Sequence, residues 1–139
     1  MILSSPEERK ALLERSASVA VVGASKNPAR PSHDVFSYLR NHGYDAAPVN
    51  PTIDDVDGVK AYPTIAAYAA ERGAPDIVDV FRNAEDVLPV VDDAIAAGAK
   101  AIWFQLGIVN QEAIARADAA GLDVVVDRCM KIDHRALPA

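Results

Sequence analysis

Five short apolar runs in this chain each end in small, polar or basic residues of the kind that bind a phosphorylated ligand. Gly23-Ala24-Ser25-Lys26 follows the first run and Asn50-Pro51 the second. Phe81-Arg82 follows the third, Gln105-Leu106-Gly107 the fourth and Asp127-Arg128-Cys129 the fifth. From Gly23 to His33 there are two cations, Lys26 and Arg30, and no acid. That stretch leads into Pro31-Ser32-His33-Asp34, which reads as a helix opening. Free backbone N–H groups and the helix dipole make such a start an anion site. The plainer reading is an ordinary strand-to-helix turn with Ser32 as N-cap, since one glycine is a weak signal. At the third run, the Phe81 ring can line an adenine and the Arg82 guanidinium can take phosphate oxygens in a two-point grip. Phe81 as core and Arg82 as a helix-entry residue fit equally well. Trp103 and Phe104 read as core, and Gln105 and Gly107 as positions for polar contact and close backbone approach.

Missing residues narrow the ligand. An NAD site uses a G-x-G-x-x-G turn and an acid about 20 residues on, which holds the ribose hydroxyls. Here Gly23 stands alone and the second run ends at Asn50-Pro51, with Asp54 and Asp55 beyond it. A carboxylate would repel a phosphorylated ribose, so its absence favours an NADP-like or coenzyme-A-like ligand. A phosphoacceptor receiver domain needs acids after the first run and at the end of the third, and Gly-Ala-Ser and Phe-Arg stand there instead. His33, His42 and His134 show no metal-ligand spacing with one another or with Cys129. Lys131 and His134 close to Cys129 could activate its thiol, which leaves a cysteine enzyme acting on a CoA thioester or disulfide as an alternative. An NADP-type oxidoreductase fragment is another.

The elements that must position these residues alternate. Ser18–Gly23, Asp45–Val49, Asp76–Phe81, Lys100–Phe104 and Leu122–Val126 read as strands, the first and last apolar enough to be covered on both faces. Val35, Phe36, Tyr38 and Leu39 mark a helix between them. Val87, Val90, Val91, Ala94 and Ile95 mark a second, which must start near Asp86 to tolerate Pro89. Ala113, Ile114, Ala117 and Ala120 mark a third. Ser5-Pro6-Glu7-Glu8 combines an N-cap serine, a first-turn proline and a capping-box glutamate, opening a helix to about Ser16. Residues 50–60 read as a turn-rich loop and Tyr62–Ala70 as a short helix. Right-handed crossovers turn this order into an α/β fold, a Rossmann-like three-layer sandwich with a five-stranded parallel sheet and helices on both faces. Ligands of such sheets bind beyond the carboxyl ends of the strands.

Composition agrees with one domain of 139 residues, half of them hydrophobic and 24% charged. With 14 Lys+Arg against 20 Asp+Glu the net charge is −6, which speaks against nonspecific nucleic-acid binding. No apolar run approaches the roughly 20 residues of a membrane span. A single cysteine and an N-terminus without a signal-peptide pattern predict a cytoplasmic protein. Protein partners and oligomeric state are left open.

Taken together, Val-Ala-Val-Val-Gly-Ala-Ser (19–25), Pro31-Ser32, Pro48-Val49-Asn50-Pro51, Val80-Phe81-Arg82, Trp103-Phe104-Gln105-Leu106-Gly107 and Asp127-Arg128-Cys129 resemble the stand-alone CoA-binding domain family. That family is similar to the CoA-binding domain of the succinyl-CoA synthetase α subunit. The likeness runs from about Ser18 to His134 and rests on the order of the motifs. It implies CoA or acyl-CoA as ligand and a non-catalytic carrier, sensor or regulatory role. By that resemblance the Gly23–Ser25 turn (Gly23, Ala24, Ser25) and Ser32 would hold the diphosphate on backbone amides. Asn50 and Pro51 would border the adenosine, with Lys26 or Lys60 beside the 3′-phosphate. Phe81, Arg82, Gln105 and Gly107 would line the path of nucleotide and pantetheine. The synthetases also need a phosphohistidine domain and a nucleotide-triphosphate domain, for which 139 residues leave no room. Synthetase activity is therefore not implied.

Overall fold

A computed structural model describes residues 1–138. The chain opens with helix α1 (Pro6–Arg15), whose Ser5–Glu8 capping box is fully formed. Strand β1 (Ser18–Val22) follows, then α2 (Pro31–Asn41) and β2 (Asp45–Val49). A hairpin comes next, β3 (Asp55–Val56) and β4 (Val59–Lys60), then α3 (Ile65–Arg72) and β5 (Ile77–Val80). A single 3₁₀ turn (Ala84–Asp86) leads into α4 (Val87–Ala96). The chain finishes with β6 (Ala101–Phe104), α5 (Gln111–Ala119), β7 (Asp123–Val125) and α6 (Met130–Arg135).

Five strands form one sheet in the order β2-β1-β5-β6-β7, all parallel. Alternating side chains send Val19, Val21, Ile77, Ala101 and Trp103 to one face, where Leu12, Leu13, Val35, Phe36, Leu39 and Met130 of α1, α2 and α6 cover them. Ala20, Val22, Val78, Val80, Ile102 and Phe104 face the other way, beneath Tyr68, Val91, Ala94 and Ile114 of α3, α4 and α5. This is the Rossmann-like sandwich expected from the alternation. The chain steps from β1 outward to β2 and then crosses to β5 on the other side of β1. Strand order therefore reverses between β1 and β5, and a ligand crevice opens above such a reversal.

Two local expectations are corrected. The 50–60 segment is not all loop. Asp57 (φ 50°) and Gly58 (φ 82°) take left-handed backbone in succession, the turn that matches strand twist in a tight hairpin, and Asp55 accepts the Gly58 N–H at 3.1 Å. Val56 is fully buried in the α1–α2 face, which ties the hairpin to the body. Ser32 does not cap α2, because the helix starts two residues earlier with Arg30 as N-cap and Pro31 in its first position. Beyond Cys129, where the sequence marks no element, the chain forms α6. Met130 anchors it in the core, and Asp133 receives both Arg9 at 2.9 Å and Arg128 at 3.0 Å. Pro89 falls in the first turn of α4, where no N–H is required of it. Among the described residues no helix is long and apolar enough to cross a membrane.

Candidate ligand-binding cleft

All five strands point their carboxyl ends at one edge, so the loops after them meet there. The tightest meeting is between β1 and β5. Phe81 donates its N–H to Val22 at 2.8 Å, and Gly23 donates to Val49 at 2.9 Å. Gly23 sits at φ 87°, and a Cβ there would collide with the Phe81 carbonyl oxygen. Glycine is required by this strand-end contact itself, before any ligand is considered. Beyond it, Ser25 folds its hydroxyl back to accept the Asn27 N–H at 3.0 Å. The N–H groups of Ala24, Ser25 and Lys26 have no protein acceptor among the described residues.

Two clefts share Phe81. The smaller, about 330 Å³, is lined by Gly23, Ser25, Arg30, Pro31, Ser32 and Phe81. Ser32 is the second residue of α2, so its N–H lacks an intrahelical partner and the helix dipole adds positive potential there. The larger, about 1050 Å³, runs from Phe81 and Arg82 between the 3₁₀ turn and the β6–α5 loop, Leu106–Ile108. Arg82 lines it, yet its Nη1 would lie 3.1 Å from a Cβ on Gly23, so the guanidinium returns toward the smaller cleft. Arg30 and Arg82 make no ion pair among the described residues. The combined cleft is therefore basic at the β1–α2 end and acidic at the far end, where Glu85 and Asp86 line it.

The remaining residues read from sequence are placed less uniformly. Ala24 is buried in the core, and its carbonyl accepts the Asn50 side-chain amide at 3.0 Å. Asn50 Oδ1 in turn accepts the N–H and hydroxyl of Thr52, at 3.0 and 2.7 Å. Asn50 thus clips the end of β2 to the β1 loop, and neither it nor Pro51 lines either cleft. Lys26 bonds Asp55 at 2.9 Å and Lys60 bonds Glu71 at 3.2 Å, all four side chains well exposed. Both lysines named for the 3′-phosphate already face a carboxylate. Gly107 lines the larger cleft, but its N–H donates to Asp127 Oδ1 at 2.7 Å. Cys129, half-buried, packs on the α1–α2 face and lines neither cleft. Among the described residues no group of three or more His, Cys, Asp or Glu is placed to hold a metal.

One feature of the edge carried no sequence signal. Asp79, in β5, is completely buried and receives the Gln105 side-chain amide, Nε2 donating to Oδ1 at 2.5 Å. Its second oxygen has no partner. Burial pushes the carboxyl up to about 7, and the Gln105 bond pulls only partly against it. Inside an apolar strand an aspartate reads as an interruption, and only the strand register reveals that Gln105 lies on the same face of the neighbouring strand's end. With Nε2 engaged, the Gln105 amide has its carbonyl oxygen left as acceptor.

A family model of the "CoA binding domain" matches residues 17–135. The chain belongs to that family. A protein of Bacillus subtilis (strain 168), uncharacterized and called YneT, is 40% identical over 130 residues, 94% of each chain. A solved structure of a hypothetical protein from Pyrococcus horikoshii OT3 superposes with a TM-score of 0.91 at 39% identity, covering 96% of this chain and 92% of that one. The dinucleotide-forming acetyl-coenzyme A synthetase 1 of Ca. Korarchaeum cryptofilum gives a TM-score of 0.67 at 28% identity. That match covers 78% of this chain and 25% of the synthetase, so this CoA-binding family member corresponds to about a quarter of the larger enzyme.

Proposed function

We propose that the protein is a single-domain, cytoplasmic CoA-binding module acting as a carrier, sensor or regulatory subunit. The observation that carries this reading is the charge gradient along the two joined clefts. Arg30, the Arg82 guanidinium and the Ser25 and Ser32 N–H groups gather at one end, and Glu85 and Asp86 line the other. Coenzyme A has the complementary shape of charge, an anionic phosphorylated adenosine diphosphate followed by an uncharged pantetheine arm. The diphosphate would lie on the N–H groups of Ser25 and Ser32, with Arg82 bridging from the β5 side. The arm would cross Phe81 toward Gly107; Gln105, buried and lining neither cleft, would act only by holding Asp79. Asn50 and Pro51 would shape the adenosine end from behind the β1 loop, and the 3′-phosphate would draw Lys26 or Lys60 away from its carboxylate partner.

Titration calorimetry of the purified protein with CoA, NADP and NAD tests this. CoA should bind tightest of the three, and Arg82→Ala should weaken it by about 1.5–3 kcal/mol, the scale of a charge-assisted hydrogen bond. Tighter binding of NAD or NADP than of CoA would refute the reading.

A further inference from the structure

We propose that the acidic end of the larger cleft is a subsite for an uncharged aliphatic acyl group on the CoA sulfur, with Glu85 and Asp86 acting against acyl groups that carry a carboxylate. The inference rests on the CoA reading above and adds the class of acyl thioester. Its first support is unusual surface. Among the described residues the exposed large hydrophobic side chains are Met1, Ile2, Leu106, Val109 and Ile132, and two of these stand on the β6–α5 loop. Leu106 is 58% and Val109 43% exposed, with Ile108 partly buried between them. Leu106 and Ile108 line the cleft. An aliphatic chain lying on them would remove apolar surface from water at both partners.

The second support is charge. Glu85 and Asp86 sit across from that loop on the 3₁₀ turn, exposed, with no ion pair among the described residues. The nearest basic group lining the cleft, Arg82, directs its guanidinium toward Gly23 instead. A carboxylate at the end of an acyl chain would enter the field of two like charges, whereas a methyl group would not. The third support is rigidity, because both walls are fastened. Asn110 Nδ2 donates to the Ala84 carbonyl at 2.8 Å, joining the loop to the turn, and Gly107 is held by Asp127 at 2.7 Å. The apolar and acidic walls therefore keep a fixed relation.

Competitive calorimetry with free CoA, butyryl-CoA and succinyl-CoA at low ionic strength tests the proposal on the full chain. Butyryl-CoA should bind about threefold tighter than CoA, as expected for partial burial of a few methylenes. Succinyl-CoA should bind about five- to tenfold weaker than butyryl-CoA, a gap that narrows with added salt. The succinyl-to-butyryl ratio should approach one in the Glu85→Gln, Asp86→Asn double variant. In Leu106→Ser the gain of butyryl-CoA over CoA should disappear. Equal binding of the two thioesters by the wild-type protein, or discrimination that survives in the double variant, overturns the proposal while CoA binding stands. Loss of all three ligands overturns the CoA reading and this inference together.

Discussion

At Gly23 two demands fall on one residue. The β1 and β5 strand ends approach so closely that the Phe81 carbonyl occupies the space of a side chain, and the turn that follows leaves the Ser25 N–H, beside the smaller cleft, without a protein acceptor. Gly23→Ala should therefore lower stability by about 3 kcal/mol, combining backbone strain with a steric clash, and chemical denaturation would measure it. Asp79 is the complementary case, a polar group in a place meant for an apolar one. Its carboxyl, pushed up to about 7 by burial, holds its proton in the folded state over a pH range where the unfolded chain has lost it. The folded protein thus binds more protons between about pH 4 and 7, and stability through this group falls as pH rises across that window. Asp79→Asn should flatten the profile, by no more than about 4 kcal/mol over the range, as followed by denaturant midpoints from pH 5 to 8. The strand-end positions of Gly23-Ala24-Ser25 and of Phe81-Arg82 were legible because each directly follows an apolar run. The Asp79–Gln105 pair was not, because its two members are 26 positions apart and meet only through strand register. The pairing of Lys26 with Asp55 was hidden for the same reason.

The regular elements were legible where periodicity and punctuation agree. The capping box of α1 and the bounds of β2 follow directly from Ser5-Pro6-Glu7-Glu8 and from a run closed by Asn50-Pro51. Short elements escaped. Hairpin β3–β4 has two residues per strand, too few for an alternation to register, although Asp57-Gly58 is a recognised turn pair. Helix α6 has six residues and draws its stability from contacts distant in sequence. One of these is the Tyr38–His134 hydrogen bond of 2.7 Å, beside the His42 ring that stacks on Tyr38. Desolvation, then the neighbouring His42, holds His134 below its ordinary value. A histidine lowered in the folded state favours folding when neutral, so its contribution is present at higher pH and declines as pH falls through the ordinary histidine range. Amide exchange in α6 should accordingly speed up below about pH 6 relative to α2 in the wild-type protein, and less so in His134→Gln. Equal acid sensitivity in both proteins would contradict a role for His134 in holding α6.

Over the whole molecule, a net charge of −6 coexists with a basic pole. Acids dominate the exposed helices and pair with most exposed cations, including Arg15, Lys60, Arg116 and Lys131. Arg30 and Arg82 are among the cations outside that pairing, and both stand beside the β1–β5 crevice. Sheet order brings these two together, and composition alone has no access to that. We propose that the crevice orients CoA with its diphosphate at the β1–α2 turn and its thiol end toward Leu106–Ile108. A crystal structure of the protein with CoA tests it most directly. The diphosphate oxygens should lie within hydrogen-bond reach of the Ser25 and Ser32 N–H groups and the Arg82 guanidinium, with the pantetheine arm passing Phe81 toward Gly107. A diphosphate bound away from the β1–α2 turn, or an arm running toward β2, would contradict it.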